Sequence, residues 1–253
     1  MNEFISKPRV VASIEARMGS SRLPGKVLED ICGKPAIGWL VDRLRLCHTL
    51  DDIIVATSID TQDDVIEDWC TKNEVNCFRG SEDDVLLRVV EAQRSMKSDI
   101  VVEITGDCPL TDPDVVDLGV ETFLHNDCDI VTNCGIISYP QGICVQVFRS
   151  EDLARMEKES DDPAVREHVS LLYYEHPELY KSINLIAPNC WQLPADCRTQ
   201  LDYPEDLEFL REVCSRLKPK HGYGFGIGML VDLLHKEPSL MDINRHCKEK
   251  NAR

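Results

Sequence analysis

No stretch of the 253-residue chain approaches the ~20 consecutive apolar residues of a membrane-crossing helix, and MNEFISKPRVV at its start carries no apolar segment of signal-peptide length. Membrane partners and export are not expected, and the chain reads as cytoplasmic. Basic residues are scarce: 28 Lys and Arg stand against 45 Asp and Glu, a formal charge of −17. That deficit repels nucleic-acid backbones and anionic bilayers over most of the surface, so neither is an expected partner. The 12 cysteines include no CxxC pair and are scattered, several in apolar segments, as at Cys70, Cys77, Cys134 and Cys214. They read as reduced, mostly buried thiols, and argue against both a disulfide framework and a zinc site. Internal repeats, low-complexity tracts and a Gly/Ser linker are missing as well. With 43% hydrophobic and 29% charged residues, the composition is that of a folded enzyme, and one domain over residues 1–253 is expected.

The first half alternates two patterns. VVASI (10–14), IIVATS (53–58), IVVEIT (100–105) and DIVTN (129–133) are short β-branched runs that predict strands buried on both faces. Between them PAIGWLVDRLRLC, TQDDVIEDWCTKN, EDDVLLRVVEAQRSM and DPDVVDLGVETFLHN place apolar residues at helical spacing. Strand–helix alternation of this kind predicts an α/β fold with right-handed crossovers and a mostly parallel sheet between helical layers. Beyond residue 134 the regularity weakens. CVQVFRS (144–150), KSINLIA (181–187) and CRTQLDY (197–203) read as strands of a mixed extension; EDLARMEKE, PAVREHVSLLYYE and PEDLEFLREVCSRL read as helices. HGYGFGIGML (221–230) follows a helix and ends in an apolar helical run, which suits a loop or helix start better than a phosphate cradle. Trp39, Trp69, Phe123 and Tyr173 sit among aliphatics at helical spacing and are assigned to the core.

The first strand runs into an unusual loop. In ARMGSSRLPGKVL (16–28), Arg17, Arg22 and Lys26 crowd between glycines and serines in an otherwise acidic chain. Ligands of open α/β sheets bind outside the carboxyl ends of the strands, which is where this loop lies. Gly19 and Gly25 permit close backbone approach to an anion, Ser20 and Ser21 donate hydrogen bonds, and the three cations supply charge. The set suits a polyphosphate. It is not a P-loop, because five residues separate Gly19 from Gly25 and Val27 follows the lysine, and there is no GxGxxG.

Two carboxylates complete the set. Asp107 in ITGDCPLTDP follows a buried strand at the same edge, and Asp202 in QLDYPEDLEF precedes a helix opened by Pro204. Facing a triphosphate, the pair would hold Mg²⁺, which takes oxygen ligands and keeps substrate phosphates in its shell. Taken singly, each aspartate fits a helix cap or turn equally well.

ARMGSSRLPGKVL, VATS, FRGSEDDVLLR, TGDCPL, REHV and LDYPEDLEF, in this order, resemble the SpsF-like cytidylyltransferase family, which is related to the CMP-3-deoxy-manno-octulosonate and CMP-acylneuraminate synthetases. The resemblance spans residues ~9–210. It implies a Rossmann-like, GT-A-like nucleotidyltransferase fold, a three-layer sandwich with a mostly parallel mixed sheet. Residues 8–133 would form the nucleotide-binding half and 134–253 an acceptor-binding and dimerisation extension. It further implies a CTP-dependent enzyme that transfers CMP to an acidic sugar or related small anionic acceptor in cell-surface polysaccharide synthesis, the alternatives being another triphosphate, a phosphorylated or phosphonate acceptor, or an inactive nucleotide-binding module. By the same carry-over Ala16, Arg17, Gly19, Ser20, Arg22 and Lys26 contact the triphosphate, with Arg17, Arg22 and Lys26 as the catalytic cations. Ala56, Thr57, Arg79, Gly80 and Ser81 line the nucleoside pocket beside Thr105 and Gly106, and Asp107 and Asp202 bind magnesium. Arg166 and His168 approach the acceptor, although a hydrogen-bonded helix histidine is an equal reading of His168. Homodimers are common among such relatives, and KSINLIA is a candidate strand for pairing across a two-fold. Between residues 134 and 200 the sugar-binding segments of the acidic-sugar synthetases are not recognisable, which leaves the acceptor open.

Overall fold

The structure, a computed structural model, describes residues 7–248. The expectation drawn from the first residues, MNEFIS, lies outside them. Strand and helix alternate as the periodicity requires: β1 (Val10–Glu15), β2 (Asp30–Ile31) and β3 (Lys34–Pro35), α1 (Ala36–Leu44), β4 (Asp52–Ser58), α2 (Asp64–Lys72), β5 (Asn76–Gly80), α3 (Val85–Met96), β6 (Ile100–Thr105) and α4 (Pro113–His125). There follow β7 (Ile130–Thr132), β8 (Gln146–Arg149), α5 (Ser150–Glu159), α6 (Pro163–Glu167), α7 (Leu171–Glu175), β9 (Ser182–Asn184), α8 (Pro204–His221) and α9 (Ile227–Lys236). β2 and β3 form a small antiparallel hairpin; the other strands make one sheet in the order β5-β4-β1-β6-β8-β7-β9. Only β8 runs antiparallel to its neighbours, so the sheet is mixed but mostly parallel, as expected.

The two faces of the sheet explain the two-sided apolar runs. Val10, Ala12 and Ile14 of β1 pack with α1, α4, α8 and α9, while Val11, Ile54, Ala56 and Val101 face α3 and the short helices that follow β8. Helix starts follow local chemistry. Asp84 accepts the Leu87 amide at the head of α3, and Asp112, followed by Pro113, accepts the amides of Asp114 and Val115 at the head of α4. The second Asp112 oxygen accepts the Ile227 amide at 2.5 Å and so starts α9 as well, which makes GFGIGML a helix start.

Several expectations need correction. CRTQLDY is not a strand: Thr199 donates its amide to the Gln141 carbonyl and Leu201 donates to the Asp107 carbonyl, so its backbone serves a loop crossing, with one isolated bridge at Arg198. PAVREHVSLLYYE breaks into α6 and α7 at His168. β5 (NCFRG) was not expected, being short and poor in β-branched residues. Trp39, Phe123 and Tyr173 are buried, whereas Trp69 is half-buried against the core. All 12 cysteines are free, but Cys77 and Cys134 are half-buried and Cys190 is exposed.

Candidate active site

The rim is built outward from β1. After Glu15 the chain enters the loop, and two contacts set its course. Asp63, wholly buried at the N-cap of α2, accepts the Met18 amide at 2.7 Å and the Ser58 hydroxyl at 2.5 Å, tying the loop to the end of β4. The Met18 carbonyl accepts the amides of Ser20 and Gly25, both at 2.9 Å, which folds the loop on itself. Gly25 has φ +73°, a conformation that glycine adopts without steric cost, and a Cβ there would stand 3.1 Å from Met18 Cε. No hydrogen bond within the described residues takes up the amides of Gly19, Ser21 or Arg22. Free amides beside cationic side chains are suited to an anion.

Folding the loop brings Lys26 to the two carboxylates. Its ammonium lies 2.7 Å from Asp107 Oδ2 and 2.8 Å from Asp202 Oδ1, and Arg22 reaches the same Asp202 oxygen at 2.7 Å. Burial by itself would push Lys26 down, but the two carboxylates more than offset it and raise it above its ordinary range. Burial likewise would raise Asp107; the Lys26 charge and bonds from Lys26, Thr105 and Gln200 outweigh it and hold the carboxyl below its ordinary value. Both groups are therefore charged at neutral pH. Gly106 allows this geometry, since it donates its amide to the Glu15 carbonyl at 2.8 Å and a Cβ on it would meet that same oxygen at 2.8 Å.

Asp202 is wholly buried, and its support was not visible in the sequence. Arg198 donates to Asp202 Oδ2 at 3.2 Å and to Asp206 Oδ1 at 3.0 Å. Asp206, also buried, accepts the backbone amides of Asp202 and Tyr203 and a bond from Asn244. The ring of Tyr203 packs under Arg22, 5.2 Å from guanidinium carbon to ring centroid. Three cations and three carboxylates balance here before any ligand arrives. Gln200, another residue the sequence did not single out, reaches Asp107 at 3.3 Å.

The donor set fits a hard divalent cation. Asp107 and Asp202 present carboxylate oxygens to one shared point at the mouth of the rim, and Lys26 already holds a positive charge at that point. A metal bound between the two would have to displace the ammonium.

The remaining residues singled out in the sequence take different places. Arg17 is 41% exposed and only loosely paired with Glu82 at 4.0 Å, so its guanidinium is available at the rim. Ser20 accepts the Leu23 amide at 3.4 Å, and Thr105 donates to Asp107 at 2.7 Å. Ala16 donates its amide to the Ala56 carbonyl, and both are buried. Ala56 and Thr57 show no accessible side-chain surface, so they line no open pocket in this form. Arg79 is taken up by Asp64, Glu67 and the carbonyls of Ser58 and Asp60, and thus shapes the turn instead of facing outward. Gly80 fits against Arg88, and the Ser81 hydroxyl accepts the Asp84 amide. Arg166 is held by Asp84, Glu157 and the Ser160 carbonyl, which leaves little of its charge for an acceptor; His168 is exposed where α6 ends.

On the α3 side of the sheet, toward the same rim, the apolar pattern gives way to a polar row. Ser13, Glu103, Gln146, Thr132 and Asn184 lie side by side in register across five strands. Gln146 donates to Glu103 at 3.2 Å and is capped by the Tyr174 hydroxyl, which also contacts Thr132 at 2.8 Å. Burial raises Glu103 to about 7, and burial together with the Glu103 charge pushes Glu15 well above the carboxylate range. Ser13 Oγ, both Glu15 oxygens and Asn184 Oδ1 have no hydrogen-bond partner among the described residues. Buried polar groups left open in this way are costly, and that cost points to a ligand or water as the missing partner. Alternating strand residues carried the signal, but only the register brings them together.

Comparison with known proteins agrees with this fold. A cytidylyltransferase family model matches residues 11–218. The chain is 32% identical over 232 residues to the spore coat polysaccharide biosynthesis protein SpsF of Bacillus subtilis, covering 89% of this chain and 93% of that one. It is 29% identical over 219 residues to the 3-deoxy-manno-octulosonate cytidylyltransferase of Polynucleobacter asymbioticus, with 81% and 82% covered. Among solved structures, a cytidylyltransferase from Leptospira borgpetersenii superposes with a TM-score of 0.87 at 29% identity, over 97% of this chain and all of that one.

Proposed function

The chain belongs to the cytidylyltransferase family, and from that premise we propose that it transfers CMP from CTP to an oxygen of a small sugar acid or related anionic acceptor, releasing pyrophosphate. As a nucleotidyltransferase it needs little covalent chemistry. An acceptor oxygen forms a bond to the α-phosphorus as the bond to the β-phosphate breaks, and pyrophosphate departs with that electron pair. What must be stabilised is charge on phosphoryl oxygens.

One observation carries the proposal: Lys26 and Arg22 converge with Asp107 and Asp202 at a single rim of the sheet. The loop amides, Arg17 and Arg22 would hold the β- and γ-phosphates, and Lys26 would leave its carboxylates to meet the charge that builds on the departing pyrophosphate. A preorganised donor of this kind contributes about 3 kcal/mol to the barrier. Asp107 and Asp202 would hold Mg²⁺, whose contribution when bound is to neutralise phosphate charge. Arg198 and Asp206 keep Asp202 turned toward the rim. The polar row from Ser13 to Asn184 is largely buried with Tyr174 over it, and its unpartnered Ser13 and Asn184 oxygens would meet hydroxyl groups of the acceptor once that cover opens.

The test is pyrophosphate release in the presence of Mg²⁺ with each of CTP, UTP, GTP and ATP, against acidic sugars, sugar phosphates, phosphonates and phosphorylated amino-acid derivatives. Acceptor-dependent release with CTP in preference to the other three is expected. Preference for another triphosphate, or for a neutral acceptor, would overturn the reading.

A further inference from the structure

Away from the rim, the segment after α9 folds back onto the start of α8. Asn244 donates to the Arg198 carbonyl at 3.1 Å and to Asp206 at 2.8 Å, and the Tyr203 hydroxyl donates to the Lys248 carbonyl at 3.2 Å. Between these fastenings lie three side chains of metal-binding type. Glu205 in the first turn of α8, His246 and Cys247 each offer one ligand atom, and all three atoms lie within 4.8 Å of one another. We propose that Glu205, His246 and Cys247 bind one zinc-class divalent cation, which clamps residues 244–248 to the segment that carries Asp202.

The chemistry of the set selects the metal. A thiolate, an imidazole and a carboxylate together suit Zn²⁺, and they suit the harder Mg²⁺ poorly, which prefers oxygen alone. Two cation sites of opposite preference would thus sit at either end of the short stretch from Asp202 to Glu205. The geometry is close to what zinc needs. With metal–ligand bonds of about 2.0–2.3 Å, tetrahedral ligand atoms stand roughly 3.3–3.7 Å apart. His246 Nε2 and Glu205 Oε1 are 3.6 Å apart, so two ligands are already at the required separation. Cys247 has to close by no more than about 1 Å, and a solvent molecule would fill the fourth position.

Electrostatics favour a cation at this point. Three carboxylates, Asp202, Glu205 and Asp206, lie within five consecutive residues at this point. Asp206 and Asp202 are spent on Arg198, whereas the one ion-pair partner of Glu205 among the described residues is the exposed His246. The cost of ordering the ligands is already partly met, since the Cys247 amide donates to the Asn244 carbonyl at 2.9 Å and Arg245 pairs with Asp242 at 2.8 Å. The separation of residue 205 from 246 and 247, with no CxxC nearby, explains why the cysteine spacing pointed the other way.

The experiment uses the full chain, stripped of metal by a chelator and titrated with Co²⁺ as a spectroscopic probe. Wild type should take up one Co²⁺ per chain with a thiolate-to-cobalt charge-transfer band that Zn²⁺ abolishes. Cys247→Ser should lose the band, and His246→Ala should weaken binding at least tenfold. Zn²⁺ at a hundred times its dissociation constant should raise the wild-type melting temperature by about 5–10 °C and leave Cys247→Ser unmoved. Cys247→Ser should keep wild-type Mg²⁺-dependent pyrophosphate release without zinc, which separates this site from the reaction. Absence of a thiolate band in wild type, or a band of equal strength in Cys247→Ser, would overturn the proposal.

Discussion

Replacing Lys26 with alanine should lower stability and turnover while raising the affinity for magnesium. The ammonium makes charge-assisted bonds of 2.7 and 2.8 Å to Asp107 and Asp202, and the latter is wholly buried. Bonds of this type are worth about 1.5–3 kcal/mol each, and stripping one partner from a buried pair costs about 3–5 kcal/mol. Asp202 keeps Arg22 and Arg198, and Asp107 keeps Thr105 and Gln200, so a stability loss near 3 kcal/mol is expected, at the low end of that range. Turnover should fall about a hundredfold, the kinetic equivalent of about 3 kcal/mol of lost charge stabilisation. Magnesium should behave the other way. In the wild type a cation entering between the carboxylates has to break the ammonium's bonds; in Lys26→Ala it does not, and the nucleotide-free affinity for Mg²⁺ should rise about 10–100-fold. Calorimetric titration and melting curves with Mg²⁺, at constant ionic strength, would read the change. An affinity equal to or below that of wild type would show that ammonium and metal do not compete for one place, and the assignment of Asp107 and Asp202 as a metal pair would fail.

Glu103→Gln tests the polar row by pH. A carboxyl raised from 4.5 to about 7 makes the fold less stable as pH rises through that interval, because the unfolded chain has already released the proton that the folded one retains. Chemical denaturation should show Glu103→Gln flattening this slope and gaining up to about 3 kcal/mol at pH 7 and above; an unchanged slope would mean that Glu103 ionises normally. Gly106→Ala places a Cβ 2.8 Å from the Glu15 carbonyl and should cost about 1–3 kcal/mol while moving Asp107, so denaturation midpoint and apparent Mg²⁺ affinity should fall together. Asp206→Ala leaves Arg198 with Asp202 alone and two buried amides without their acceptor, and should lower stability by about 3–5 kcal/mol, seen as an earlier unfolding transition; wild-type stability would remove Asp206 from its supporting role.

The strands nearest the centre of the sheet were readable because both their faces are buried and apolar residues dominate them, with Ser13 in Val10–Ile14 and Glu103 in Ile100–Ile104 as the exceptions. CRTQLDY misled because a crossing loop can be as buried as a strand: Cys197, Arg198, Thr199, Leu201 and Asp202 are all buried, while their backbone pairs with loop carbonyls and not with a neighbouring strand. The cationic loop and both aspartates were legible because each sits where a strand or helix boundary is marked locally by Gly or Pro. Arg198, Gln200 and the row from Ser13 to Asn184 were not, since their meaning comes from partners far along the chain. Arg79 and Arg166 look in sequence like free charges beside motifs; their carboxylate partners, Asp64 and Glu67 for one and Asp84 and Glu157 for the other, appear only on folding.

The backbone bond from Leu201 to Asp107 at 2.8 Å joins halves of the chain that are made at different times on the ribosome. A nascent chain that has emerged only through β6 and α4 can pair its first strands and form the basic loop, yet Lys26 then has one anchor and not two. The cluster of Lys26, Asp107 and Asp202 is therefore completed only once the segment bearing Asp202 has been synthesised and docked.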